Sequence, residues 1–224
     1  MTVLEAIKAR HSVRHYMERP LEQEIIDKLN ALIAECNASG GLHLQLVVNE
    51  PKAFSTSKLS YGKFSGVNNY LVVAGPKGGN YAEAAGYYGE KVVLYAQTLG
   101  LNSCWVGLTY KKIPEAFELK DGEKVYCVIC LGYGADSGVQ HPLRSFDKVA
   151  ETNGDVPQWF KDGVDAVILA PSAINQQKYK FILAPDGSVR TRTSFSIAGY
   201  TDIDLGIAEY HFEVVSGKKI TSFE

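Results

Sequence analysis

The chain has 224 residues, 46% of them hydrophobic and 11% aromatic, and a formal net charge of −2. That apolar content supports a packed core and excludes a disordered chain, while the near-neutral balance excludes the broad basic field that nucleic acid or an acidic membrane would need. An anionic ligand must be met by charge gathered locally. No apolar run reaches membrane-spanning length, and Met1-Thr2-Val3-Leu4-Glu5 opens on a helix signal rather than a charged-then-apolar leader. The expectation is a cytoplasmic protein with no membrane and no nucleic-acid partner.

Thr2 and Glu5 have capping-box spacing, and Val3, Leu4 and Ile7 predict the inner stripe of a short helix ending near Arg10. Leu21, Ile25, Leu29, Leu32 and Ile33 keep helical period after Pro20, and this second helix fades into Asn37-Ala38-Ser39-Gly40-Gly41. Leu42, Leu44, Leu46 and Val48 alternate as a half-buried strand. Tyr70 to Ala74 predicts a buried strand, and Asn80 to Leu99 a long helix stopped by Gly100. Gly86 and Gly89 weaken that helix but let another backbone or a ligand approach it. Leu101 to Leu108 and Lys124 to Tyr133 read as strands, with a short helix at Pro114 to Phe117 between them.

Beyond the polar stretch Gly134 to Gly138 the pattern restarts. Pro157 to Leu169 reads as a helix, and Tyr179 to Leu183 with Val189 to Thr193 as a hairpin turning on Asp186-Gly187. Thr201 is placed to cap a last helix with Ile203, Ile207 and Val214 inward, and Lys219 to Phe223 reads as a final strand. Both halves contain a helix, a small-residue turn and a strand, a partial internal repeat. Mixed helices and strands indicate a layered α+β or α/β protein.

Of Cys36, Cys104, Cys127 and Cys130, only the last two have metal or redox spacing, and they fall inside a strand, where core packing is the expected role. Gly75-Pro76-Lys77-Gly78-Gly79 matches no nucleotide-loop spacing and reads as a turn. His43, His141 and His211 are too scattered to form a ligand set, so no metal is expected. Ser172 lacks the strand-turn-helix setting of a hydrolase nucleophile. Tyr81, Tyr87, Tyr88 and Tyr95 serve equally as helix packing or as a pocket for a flat molecule.

Two strings stand out. Arg10-His11-Ser12-Val13-Arg14 puts two guanidinium forks and a hydroxyl at a helix exit, a donor set suited to a phosphate dianion, although arginines at a helix end also serve simply as solvated partners of the helix dipole. Pro171-Ser172-Ala173-Ile174-Asn175-Gln176-Gln177 combines a rigid turn with amide side chains, suited to a heteroaromatic edge. Its Pro-Ser-x-x-Asn-x-Gln pattern arises by chance in on the order of one in a thousand chains of this length. A polar loop between helix and strand is its plain alternative.

With these strings the chain resembles the flavin-dependent nitroreductases. Members open with a helix and an Arg-Arg-Ser-x-Arg string, here Arg10 to Arg14, and carry an Ala-Pro-Ser-x-x-Asn-x-Gln-Pro string, here Ala170 to Gln177 with Lys178 in place of the final Pro. Leu99-Gly100-Leu101 with Cys104-Trp105-Val106-Gly107 is similar to the family's long helix and following strand, and Leu131-Gly132-Tyr133 followed by Arg144 to its strand and basic loop. The resemblance implies an α+β fold with a mixed, mainly antiparallel sheet flanked by helices. It implies FMN as cofactor, with Arg10, His11, Ser12, Arg14 and Arg144 at the phosphate and ribityl chain, and Lys63 toward the pyrimidine. Val106, Gly107 and Leu108 fall at the ring edge, and Pro171, Ser172, Ala173 and Asn175 close the site. No catalytic acid or base is required, since hydride chemistry belongs to the flavin.

One departure from the family pattern matters. The Pro-Ser-x-x-Asn string ordinarily follows the second helix and, in an obligate homodimer, reaches the flavin of the other subunit. Here the early position holds only Ala38-Ser39-Gly40-Gly41 and the string sits late. The expectation is therefore an intrachain pseudo-dimer, with residues 1–150 carrying the phosphate string and residues 151–224 completing one flavin site, in a monomer rather than an obligate homodimer. The implied activity is NAD(P)H-dependent, ping-pong reduction of nitroaromatic or quinone-like acceptors, with NADH or NADPH as reductant. A non-catalytic flavin-storage protein, or another flavin reaction such as reductive dehalogenation, is the alternative.

Overall fold

The computed structural model describes residues 1–55, 63–197 and 199–220. By contact the chain divides into two units, one from the described residues of Met1–Tyr81 with Lys91–Gln140, the other from Ala82–Glu90 with the described residues from His141 on.

In the first unit, helix α1 (Val3–Ala9) starts with the expected box: the Thr2 N–H donates to Glu5 Oε2 at 2.8 Å and the Glu5 N–H to Thr2 Oγ1 at 3.2 Å. Its inward face is not the expected one. Leu4 is 52% exposed, whereas Ala6, Ile7 and Arg10 are buried and Val3 is half-buried. Val3, Ala6, Ile7 and Arg10 have the i, i+3, i+4, i+7 spacing of one helical face, and Leu4 lies a step round from it. Helix α2 (Gln23–Gly40) buries Leu29, Ile33 and Cys36 and stays helical through Gly40 instead of fading at Asn37. Asn37 then brackets the turn, donating to the Leu44 carbonyl at 3.0 Å and accepting from its N–H at 2.7 Å.

Strands β1 (Gln45–Val47), β2 (Tyr70–Pro76), β3 (Asn102–Val106) and β4 (Glu123–Gly132) form an antiparallel sheet in the order β1-β2-β4-β3. The first strand is shorter than the alternation of Leu42 to Val48 suggested, and Val47, not Leu46 or Val48, is the buried member at its end. On one face Tyr70, Val72, Ala74, Cys104, Val106, Val128 and Cys130 pack with Val13 and Tyr16. The intervening Leu71, Val73, Ile129 and Leu131 are buried as well, so the central strands are covered on both sides. Cys127 and Cys130 are buried β4 residues outside any disulfide, and burial holds the Cys130 thiol well above its ordinary pKa. Past Pro76 the chain turns through Gly78 and Gly79, both at positive φ.

Helix α3 (Tyr81–Thr98) gives its first half to the second unit. There, α4 (Phe146–Val149) and β5 (Ala150–Thr152), which are too short to show in the sequence, precede α5 (Gln158–Leu169). β6 (Tyr179–Leu183) pairs parallel with β5 and antiparallel with β7 (Val189–Thr193). The hairpin turns on Gly187 at φ 81°, with Asp186 Oδ1 accepting from the Ser188 N–H and hydroxyl. Helix α6 (Thr201–Ser216) begins at Tyr200 in the left-handed region, not at a Thr201 cap, and Val214 is only half-buried. The expected final strand is irregular at Lys219 and Ile220, and residues 221–223 lie outside the described residues.

A close helix crossing holds this unit. A Cβ placed on Gly86 would sit 2.0 Å from the Ile203 carbonyl oxygen, and one on Gly206 would sit 1.9 Å from that of Glu83. Glycine at both positions lets the α3 and α6 backbones touch, which answers why a helix carries Gly86 despite its propensity cost. The whole is an α+β protein. Among the described residues no helix is long and apolar enough to cross a membrane.

Candidate functional site

The N-terminal string leaves α1 through Arg10, whose N–H still donates to the Ala6 carbonyl at 2.8 Å. It then runs extended, stitched on both sides. Val13 N–H donates to the Ser103 carbonyl of β3 at 3.0 Å, Ser65 N–H to Arg14 O at 3.1 Å, and Tyr16 N–H to Ser65 O at 2.9 Å. Val13 and Tyr16 anchor the segment in the sheet core, and the Tyr16 hydroxyl donates back to Val13 O at 2.9 Å. The anchors point inward, so the polar residues beside them are presented at the rim: Ser12 is half-buried and Arg14 exposed. Gly138, at φ 67°, brings the following loop against His11 and Ser12, where a Cβ would meet His11 Cβ at 2.9 Å and Ser12 O at 3.0 Å.

These side chains converge. The Arg14 and Arg10 guanidinium groups and the Ser12 hydroxyl all favour the ionised form of the Cys104 thiol, although burial outweighs them and its pKa is raised. All three act on one sulfur, that of Cys104 in the middle of β3, and Ser12 pairs with the adjacent Ser103. Two guanidinium forks and a hydroxyl form a donor set that fits a phosphate dianion. The acidic neighbour is exposed Asp136, whose carboxylate accepts the Gly138 N–H at 2.8 Å.

Lys63 is exposed and lies two residues before Ser65, the residue that pairs with Arg14 to Tyr16. Val106 ends β3 in the core, Gly107 is half-buried and Leu108 is 73% exposed. Three residues of strand separate Ser103 from Val106, about 10 Å. The first unit thus aligns the Arg-Ser-Arg donors and the residue 106–108 edge along one strand.

The second unit holds the rest. The late string follows α5, and among its side chains Gln176 and Gln177 are spent on the loop itself rather than offered outward. Gln177 Nε2 donates to Ile168 O at 3.0 Å, and Gln176 Nε2 to Asp204 Oδ2 at 2.7 Å and Gly199 O at 3.0 Å. The Ser196 hydroxyl donates to Gln176 Oε1. Ser172 Oγ accepts the Gln177 N–H at 3.0 Å, and Asn175 Nδ2 donates to Pro142 O at 3.0 Å. Arg144, in the same unit, donates to the Gln176 carbonyl at 3.5 Å. Ile174, Asn175 and Gln177 all have positive φ (47°, 54° and 41°), a strained run for which the β-branched Ile174 is least suited.

The sequence reading missed Asp204. It is 2% exposed on the first turn of α6, where it accepts the Ala173 N–H at 2.8 Å as well as the Gln176 amide. Burial raises its pKa to about 7 against the pull of those two donors. Further along α6, Glu209 accepts from the Thr191 hydroxyl at 2.9 Å and shares a hydrogen bond with Glu83, and burial and that neighbour raise its pKa to about 8. His211 Nε2 lies 2.9 Å from Glu90 Oε1 with both side chains fully buried, and its Nδ1 donates to Ala166 O at 3.1 Å. The one available sign was that a helix with Ile203, Ile207, Ala208 and Phe212 inward leaves little exposed face for its acids. Tyr87 packs edge-on to Tyr88 and Tyr210, so this part of the tyrosine-rich stretch is helix packing.

The architecture is that of nitroreductase-fold proteins. It is similar to the structure of a "putative nitroreductase" from Thermotoga maritima, with 24% identity over 96% of this chain and 83% of that one and a TM-score of 0.66. Two proteins described as "putative NADH dehydrogenase/NAD(P)H nitroreductase" share the fold over 66% of this chain and 95% of theirs. The one from Parabacteroides distasonis has 23% identity and a TM-score of 0.51, and the one from Bacteroides thetaiotaomicron 19% and 0.52. No curated protein matches the chain. A family model described as "Putative TM nitroreductase" matches residues 2–216, and the chain belongs to that family.

Proposed function

We propose that this protein is an FMN-dependent oxidoreductase that uses NADH or NADPH to reduce nitroaromatic or quinone-like acceptors. The observation that carries the reading is that Arg10, Ser12 and Arg14 all act on the Cys104 sulfur in the middle of β3, along which the string is paired through Ser12 and Ser103. Flavin bound there supplies hydride transfer in both directions, taken from the nicotinamide and given to the acceptor in ping-pong order.

The chain's own part is binding and orientation. Arg10, buried at the end of α1, and Arg14, exposed at the rim, neutralise the phosphate, with Ser12 adding a short donor and His11 a contact to the ribityl side. Lys63 serves the pyrimidine end. Val106, Gly107 and Leu108 present backbone to the ring edge, where an N–H fixes the orientation of the reacting face. Pro171, Ser172, Ala173 and Asn175 supply the second wall, with Arg144 as the further phosphate partner. These second-unit roles rest on the string itself. The similarity to proteins described as NAD(P)H nitroreductases supports the choice of reductant.

The test is anaerobic. The purified protein should be yellow, bleach with NADH or NADPH, and recover its colour on addition of a quinone or nitroaromatic. Bound flavin that neither nucleotide reduces would establish the storage protein instead.

A further inference from the structure

We propose that Asp204 is the positioning residue of the 171–177 string, holding its strained backbone in place as a carboxylate. Two donors approach it, the Ala173 N–H on Oδ1 at 2.8 Å and the Gln176 amide on Oδ2 at 2.7 Å. Each oxygen faces a hydrogen. A carboxylate accepts both donors at full strength, whereas an acid proton competes with the donor on its own oxygen and weakens that bond, so the ionised form holds the string best. Between those two attachment points lie Ile174 and Asn175 at φ 47° and 54°. Such a conformation persists only where its surroundings over-determine it, and Asp204 is the charged member of those surroundings. Gln176 extends the hold: its amide also bonds Gly199 O and receives the Ser196 hydroxyl, tying those two residues to the same carboxylate.

Among the described residues, the groups acting on the Asp204 carboxyl are its two donors and the burial around it, with no base among them. The titratable group acting with it is the buried Tyr179 of β6, and Glu90 of α3 and Arg144 act on that same tyrosine. Glu83 of α3 and Glu209 of α6 form their own carboxyl pair. Burial therefore works against the carboxylate and the two donors for it, which brings its titration to about pH 7. The string is held firmly above that pH and loses one of its two ties below it. The consequence for flavin binding rests on the function proposed above.

The experiment is a pH titration of backbone and side-chain amide resonances in the full chain without flavin, between about pH 5.5 and 8.5. The Ala173 N–H and Gln176 Nε2 resonances should titrate together near neutrality, and Asp204→Asn should abolish the titration. Gln176→Ala removes one donor and should move the Ala173 midpoint upward, a readout that survives if Asp204→Asn does not fold. An Ala173 amide indifferent to pH throughout that range overturns the proposal. FMN titrations supply the second arm: affinity should fall about tenfold in Asp204→Asn at the upper pH, and wild type should approach that value at the lower. Amides that titrate while FMN affinity stays unchanged leave Asp204 as the holder of the string and remove the string from the flavin site.

Discussion

At the scale of single residues, the string Arg10 to Arg14 owes its presentation to the pairing of anchors and donors. Val13 and Tyr16 are buried and fix the strand-like course of the segment, so Arg14 can be changed without touching the core. Arg14→Ala is expected to weaken FMN binding by about tenfold to a hundredfold, the range of a charge-assisted hydrogen bond, with unchanged thermal stability. Flavin fluorescence titration beside a melting curve checks both halves. Arg10 differs, because it completes the buried face of α1, and its substitution will cost stability as well. The donor chemistry of the string was legible from residue types and spacing. The use of Gln176 and Gln177 was not: an amide reads alike whether it faces a ligand or its own loop, and only the positions of Ile168, Gly199 and Asp204 decide.

At the scale of elements, the hairpin, α1 and the long α3 were readable because each carries its own punctuation, in Asp186-Gly187, the Thr2-Glu5 box and Gly100. The brief α4 and β5 carry none, and the α6 start at Tyr200 depends on a left-handed residue that no propensity favours. The α3–α6 crossing makes a sharp prediction. Gly86→Ala gains about 1 kcal/mol of helix propensity, but its Cβ must displace the Ile203 backbone, a loss of about 3 kcal/mol or more. Denaturant unfolding should therefore show net destabilisation where a helix scale promises the reverse. The same crossing carries the Glu83–Glu209 carboxyl pair. Glu209 keeps its proton to about pH 8 in the folded chain, against an ordinary value of 4.5, so its contribution to stability is full below about pH 4.5 and is lost progressively as pH rises from there to about 8. Glu209→Gln removes the cost of holding that proton and is expected to raise Tm by about 3 °C or more at pH 9, by a smaller amount at pH 6, and little near pH 4. A larger gain at the lower pH would reverse the assignment.

At the scale of the whole molecule, the chain carries one Arg-x-Ser-x-Arg string and one Pro-Ser-x-x-Asn-x-Gln string, each in a different compact unit. Contacts place the change of unit at Gln140/His141 and give the second unit the first half of α3, a kind of partition that linear reading of composition does not reveal. The early turn shows why the second string cannot be supplied from the first unit: α2 continues to Gly40, and Asn37 closes directly onto Leu44. If both strings serve one flavin, as proposed, two arrangements remain chemically distinct, one chain supplying both or two chains exchanging them. Stoichiometry alone does not separate these, since each gives one FMN per chain. Complementation does. In an exchanged dimer, mixing Arg14→Ala with Asn175→Ala chains rebuilds one intact site from the two undamaged strings, and up to half of the wild-type flavin capacity returns when subunits are allowed to re-assort. In a self-sufficient chain every site in the mixture keeps one lesion. The intrachain pseudo-dimer thus predicts no recovery on mixing, together with a light-scattering mass of one 24.5 kDa chain. Recovery with a doubled mass would assign the two strings to different subunits.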